Sequence, residues 1–151
     1  MPWYAVRPAS PETTVALLAA LRPRASAVHV TVRGEVPEAL RAGPASGSGR
    51  GPVGRLLAWL EPDSGSGPAR RRVTVRPDRA PAWAALLDLA ASGELDIEVI
   101  ADHRLIARVA GVATPVAELT GAEHAHLVAA LGTAAVEDLP TPPAWYRLGR
   151  G

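Results

Sequence analysis

One short pattern occurs twice in the chain. Val73-Thr74-Val75-Arg76 repeats Val30-Thr31-Val32-Arg33, and each copy is followed by a proline and an apolar stretch, Pro37 to Leu40 in the first and Pro81 to Leu87 in the second. A weaker echo, Tyr4-Ala5-Val6-Arg7-Pro8, leads into the run beginning at Pro11. Strand, turn and proline-started helix is therefore the unit of construction. Such units share a sheet and cover it with their helices, which bounds the fold but not the function.

Hydrophobic spacing locates the elements. Ser10-Pro11 caps and starts a helix whose apolar face is Thr14, Leu17, Leu18 and Leu21, and Arg22-Pro23 stops it. Val28, Val30 and Val32 alternate with His29, Thr31 and Arg33, as in a strand with one buried face. Residues 36–42 allow at most one helical turn. Pro81 starts a second helix with the stripe Trp83, Leu86, Leu87 and Ala90, ended by Gly93. Thr120 and Glu123 form a capping box for a third, with the stripe His124, Leu127, Val128 and Leu131.

Leu95, Ile97 and Val99 against Leu105, Ala107 and Val109 read as a hairpin. An odd loop keeps both apolar sets on one face, so the pattern predicts a three-residue loop 101–103 with Asp96 opposite Arg108. The Gly/Ser/Pro-rich residues 42–52 read as a flexible loop within a single domain, 1–139. Val53–Leu60 fits helix or strand, and strand is preferred because it can pair with 71–76. Pro140, Pro142 and Pro143 exclude a helix through that stretch, so 140–151 reads as an extended C-terminal arm carrying Trp145 and Tyr146. The fold class is α+β: one mostly antiparallel sheet from two βαββ units with helices on one face, plus a C-terminal helix and extended tail.

A chain of 151 residues suffices for one core without staples, and there is no cysteine. With no leader-like start and no apolar run of membrane-span length, a soluble cytoplasmic protein is expected. All sixteen basic residues are arginine, and Lys, Asn, Gln and Phe are absent. This skew reads as the bias of a GC-rich, bacterial genome rather than selection for phosphate binding. Residues 1–76 hold eleven arginines against five acids, and residues 77–151 hold five against ten. That split makes a dipolar surface only if the halves stay apart in space; strands sharing one sheet would mix them.

The polar sides of the strands converge on the open sheet face. Candidate binding residues there are His29, Arg33, Arg72, Arg76, Arg104 and Arg108, with Asp96 and Glu98 among them. Arginines on a rigid sheet grip a carboxylate or phosphate through a planar fork; the plain reading is a solvated face with weak cross-strand ion pairs. Trp145 and Tyr146 are the other candidates, as anchors for a partner or as packing for the arm itself. His124 and His126 stand two apart and point to different sides of a helix, and no His-Glu-x-x-His occurs, so no metal or cofactor is expected. No Cys is present and no Ser occupies a strand-to-helix elbow, so no catalytic residue is assigned. Asp102-His103 reads as a turn.

Without a catalytic constellation, the first reading is a non-enzymatic protein-interaction module of accessory, regulatory or immunity type, binding a protein partner. The alternative is an anionic small-molecule site, possibly enzymatic, in which arginines hold the ligand and His29 or His103 moves a proton. Sequence-independent nucleic-acid binding is a weaker reading, because the face lacks stacking aromatics.

Overall fold

The computed structural model describes residues 1–33, 36–41, 70–92, 95–111 and 113–148. The loop expected at 42–52 and the ambiguous segment Val53–Leu60 lie outside the described residues. The strands are β1 (Trp3–Val6), β2 (Ala27–Arg33), β3 (Arg70–Val75), β4 (Asp96–Ala101), β5 (Arg104–Ala110), β6 (Val116–Glu118) and β7 (Val136–Leu139). The helices are α1 (Pro11–Leu21), α2 (Glu38–Arg41), α3 (Ala80–Ser92), α4 (Gly121–Leu131) and α5 (Ala144–Leu148).

All seven strands form one antiparallel sheet in the order β3-β2-β4-β5-β6-β1-β7. The α+β architecture is the one the sequence predicts. Its repeated segments become direct neighbours, with Val30 opposite Val73 and Val28 opposite Val75. The units interleave rather than stand side by side, because β2 inserts between β3 and β4. β1 likewise lies between β6 and β7, so strands from the two halves of the chain share one sheet.

The helices form as their local signals dictate. The Ser10 hydroxyl accepts the Thr13 backbone N–H at 3.2 Å, with Pro11 at the first helical position. Thr120 and Glu123 close the capping box in both directions, at 3.2 and 2.8 Å. α1 packs between α3 and α4 on one face of the sheet. There Leu17, Leu18 and Leu21 meet Trp83 and Leu86 of α3, Leu127 of α4, and the inward residues Val28, Val30, Ile97 and Val99. Leu87 is only half-buried at the edge of this core.

The hairpin solves its parity problem differently from the three-residue loop read from the sequence. Ala101 pairs with Arg104, leaving a two-residue turn, and Asp102 and His103 take positive φ of 50° and 61°. Positive φ at both central positions matches the twist of the flanking strands, and Asp tolerates it. A bulge then restores the face. Ile100 pairs with Leu105 but Val99 with Ala107, so Ile106 is the extra residue, and both Ile106 and Ala107 are fully buried. The bulge moves the cross-strand partners: Arg108 faces Glu98, and Asp96 faces Ala110.

Three further elements differ from the sequence reading, in which 140–151 is an extended arm. β6 and β7 are strands of three and four residues, too short for alternation to reveal. The C-terminal arm becomes helical over Ala144–Leu148, starting just after Pro143. Among the described residues no helix is long and apolar enough to cross a membrane.

Trp83 is 3% exposed at the junction of α3 with the core, with the Arg22 guanidinium 5.1 Å from its ring centroid. Trp83→Ala is expected to cost on the order of 3–5 kcal/mol in a denaturant titration. Leu87→Ala should cost clearly less, and the reverse order would contradict the helix register.

Candidate functional site

Alternation along the strands sends Val28, Val30, Ile97 and Val99 toward the helices and their neighbours to the opposite face. Antiparallel register arranges those neighbours in rows. One row runs Arg72, Thr31, Asp96 and Ala110; the next runs Thr74, His29, Glu98 and Arg108. Between the rows lies a hollow of about 200 Å³, walled by His29, Thr31, Arg72, Asp96, Glu98 and Arg108. This part of the sheet is the candidate surface.

Its internal bonds are few. His29 Nδ1 and Thr74 Oγ1 share a hydrogen bond of 3.0 Å, and Arg72 Nη2 stands 3.6 Å from Glu98 Oε2. Both ends of that ion pair are well exposed, so it contributes little to stability. Arg108 and Asp96 have no ion-pair partner among the described residues. Partial burial lowers the His29 pKa, the Arg72 charge lowers it further, and Glu98 opposes both. The imidazole is therefore held toward its neutral form.

Thr74, His29 and Glu98 have the residue types of a nucleophile, base and acid in one row. The geometry does not connect them as such. Glu98 pairs with Arg72 and makes no hydrogen bond to His29. The ring nitrogen that an orienting acid would take, Nδ1, is already engaged by Thr74. β2 and β4 are interior strands, so their backbone N–H groups belong to the ladder and supply no oxyanion hole. Among the described residues no group of three or more His, Asp or Glu is placed to hold a metal ion.

The sequence-derived candidates thus separate into groups. His29, Arg72 and Arg108 come together at the hollow. Arg76 lies past the end of β3 and pairs with Asp78 at 3.7 Å. Arg33 ends β2 opposite Arg70 in register, and its side chain is not among those described. His103 is exposed in the turn.

Arg104 joins a second cluster with Trp145 and Tyr146. Its guanidinium forks onto Glu118 at 3.1 and 3.3 Å, which raises its pKa, and it donates to the Tyr146 hydroxyl at 3.3 Å. Trp3 packs edge-on against Trp145 at 5.4 Å and against Tyr146 at 4.9 Å. Tyr4 stacks on His124 of α4, so Trp3, next along the strand, faces away from the helices. α5 therefore covers the far end of the same sheet face that carries the hollow.

The sequence reading missed Glu118 and Arg24, which with the capping-box residue Glu123 lock this end together. Arg24 grips Glu123 at 2.8 and 2.9 Å, donates to the Glu118 carbonyl at 2.6 Å and lies 3.7 Å from its carboxylate. A lone acid in the apolar run from Pro115 to Leu119 was the available signal, because such a charge is buried only when paired.

With this geometry described, the chain was compared with known protein families, with characterised proteins and with solved structures. It matches none of them.

A lowered His29 pKa carries a sign. The unfolded chain takes up the proton near the ordinary value of 6.5, while the folded protein resists it. Stability should therefore fall as pH drops below about 6.5, with part of that slope removed by His29→Gln. An NMR titration of the His29 ring should give a midpoint below 6.5; a midpoint above it would contradict the assigned surroundings.

Proposed function

We propose that the protein is a non-enzymatic interaction module that binds a protein partner through the open face of β3, β2, β4 and β5. The observation that carries this reading is a pair of charges, Arg108 and Asp96, on adjacent strands at the rim of the hollow, neither with an ion-pair partner among the described residues. A rigid sheet holds them at fixed separation, so recognition costs little ordering on this side. A partner presenting an acid to Arg108 and a base to Asp96 gains both register and specificity. An accessory, regulatory or immunity-type protein works in this way, by occupying a surface rather than transforming a substrate.

The competing readings fit less well. Small-molecule sites are commonly about 300–1,000 Å³ and mostly apolar. This hollow is about 200 Å³ and walled largely by charged and polar side chains, a recess for one side chain of a larger partner. Asp96 and Glu98 line it together with the arginines, which disfavours a free anion and a nucleic-acid backbone alike.

Reversing the charges tests the reading. Arg108→Glu and Asp96→Arg should each leave the chain folded, with the melt lowered by a few degrees at most. Both side chains lie on the polar face and make no ion pair among the described residues, and Arg108→Glu adds only a surface repulsion with Glu98. Each should weaken a partner captured by the wild-type chain by roughly tenfold or more, because like charges then face each other across the interface. A wild-type chain that carries a bound metabolite in native mass spectrometry, with partner capture indifferent to both reversals, would favour the small-molecule alternative.

A further inference from the structure

The far end of the sheet face holds a receptor and an occupant of very different rigidity. The receptor is built in. Trp3 lies in β1, which is paired on both sides by β6 and β7. Arg104 is fixed by its fork onto Glu118, itself buried. The occupant is short. α5 has five residues, far too few to be helical alone in water, so it is helical because it is docked. It follows a stretch with three prolines and adds no strand to the sheet. Its contacts with the floor include two neighbouring aromatic rings on Trp3 and one tyrosine hydroxyl read by Arg104. A preformed aromatic floor with one polar group placed to test a hydroxyl is how proteins recognise a short segment in trans.

We propose that the groove floored by Trp3 and edged by Arg104 is a recognition site for a segment with two adjacent aromatic residues after a proline break. α5 fills it in cis as a built-in pseudo-ligand, and a partner segment of the same chemistry displaces it. This site is separate from the hollow and does not depend on the reading given above for it. Tethering gives α5 an effective concentration of the order of millimolar, so an outside segment competes only if it binds well below that value or if α5 is weakened.

The test uses the full chain carrying Trp145→Ala and Tyr146→Ala, which empties the groove, and a labelled synthetic peptide of residues 140–148 as probe. The peptide should bind this variant at least tenfold more tightly than the wild type, where α5 blocks the site. Peptides with either aromatic replaced by alanine should bind at least tenfold more weakly, and Arg104→Gln in the variant should selectively lower affinity for the tyrosine-bearing peptide relative to one with phenylalanine in its place. Fold is checked by amide NMR spectra. If the double variant does not fold, the single Trp145→Ala chain takes its place. A folded variant that ignores the peptide, or a wild-type chain that binds it equally well, overturns the proposal and leaves α5 as fixed covering for Trp3.

Discussion

The carboxylate of Glu118 has a side-chain exposure of 4% and would be costly there without partners. It is held by the fork of Arg104 on one side and approached by Arg24 on the other. Arg24 follows α1 and also grips Glu123, which belongs to the α4 capping box. Arg104 opens β5 beside the hairpin turn and touches Tyr146 of α5. One buried acid thus links two of the core-covering helices, three neighbouring strands and the C-terminal helix. Ion pairs of this kind contribute modestly to net stability, yet losing one partner leaves a charge stranded, which commonly costs about 3–5 kcal/mol. The arrangement therefore fixes geometry more than it adds free energy, and the Trp3 groove inherits its rigidity.

The two ends of the exposed sheet face are organised on opposite principles. Around Trp3 the charges are satisfied within the molecule and the surface is aromatic. Around the hollow the pairs are loose, and Arg108 and Asp96 have no ion-pair partner among the described residues. The bulge at Ile106 stands between these regimes on β5. By adding one residue it returns Ala107 and Val109 to the core and leaves Arg108 on the open face beside Glu98. Without it, a two-residue turn would put one strand's apolar side chains into water.

Much of the architecture was legible in the sequence, because its signals were periodic and local. The Ser10 cap, the Thr120–Glu123 box, the stripe of Trp83, Leu86 and Ala90, and the alternation of Val28, Val30 and Val32 each specify their own element. What was not legible depended on tertiary contact. β6 and β7 are strands because β1 needs neighbours, not because three or four residues announce it. The turn at Asp102-His103 and its compensating bulge are a joint solution that neither strand encodes alone. At the hollow, His29, Arg72 and Arg108 followed from strand parity. Arg104 did not stay with them, because the hairpin register and the buried Glu118 draw it to the other end.

The position of β1 has a consequence for how such a chain comes into being. Trp3 finds its strand partners in Glu118 and Leu139, far along the chain. During synthesis β1 emerges before those partners and waits, with an apolar Trp and Val unpaired, until β6 and β7 have left the ribosome. The middle of the sheet, β3-β2-β4-β5, has no such dependence, since among the described residues its strands pair with one another and with β6. Assembly from the centre outward follows from this connectivity, with β1 docking late and β7 closing over it. Until that moment Trp3 is an unsatisfied hydrophobic edge of the nascent chain.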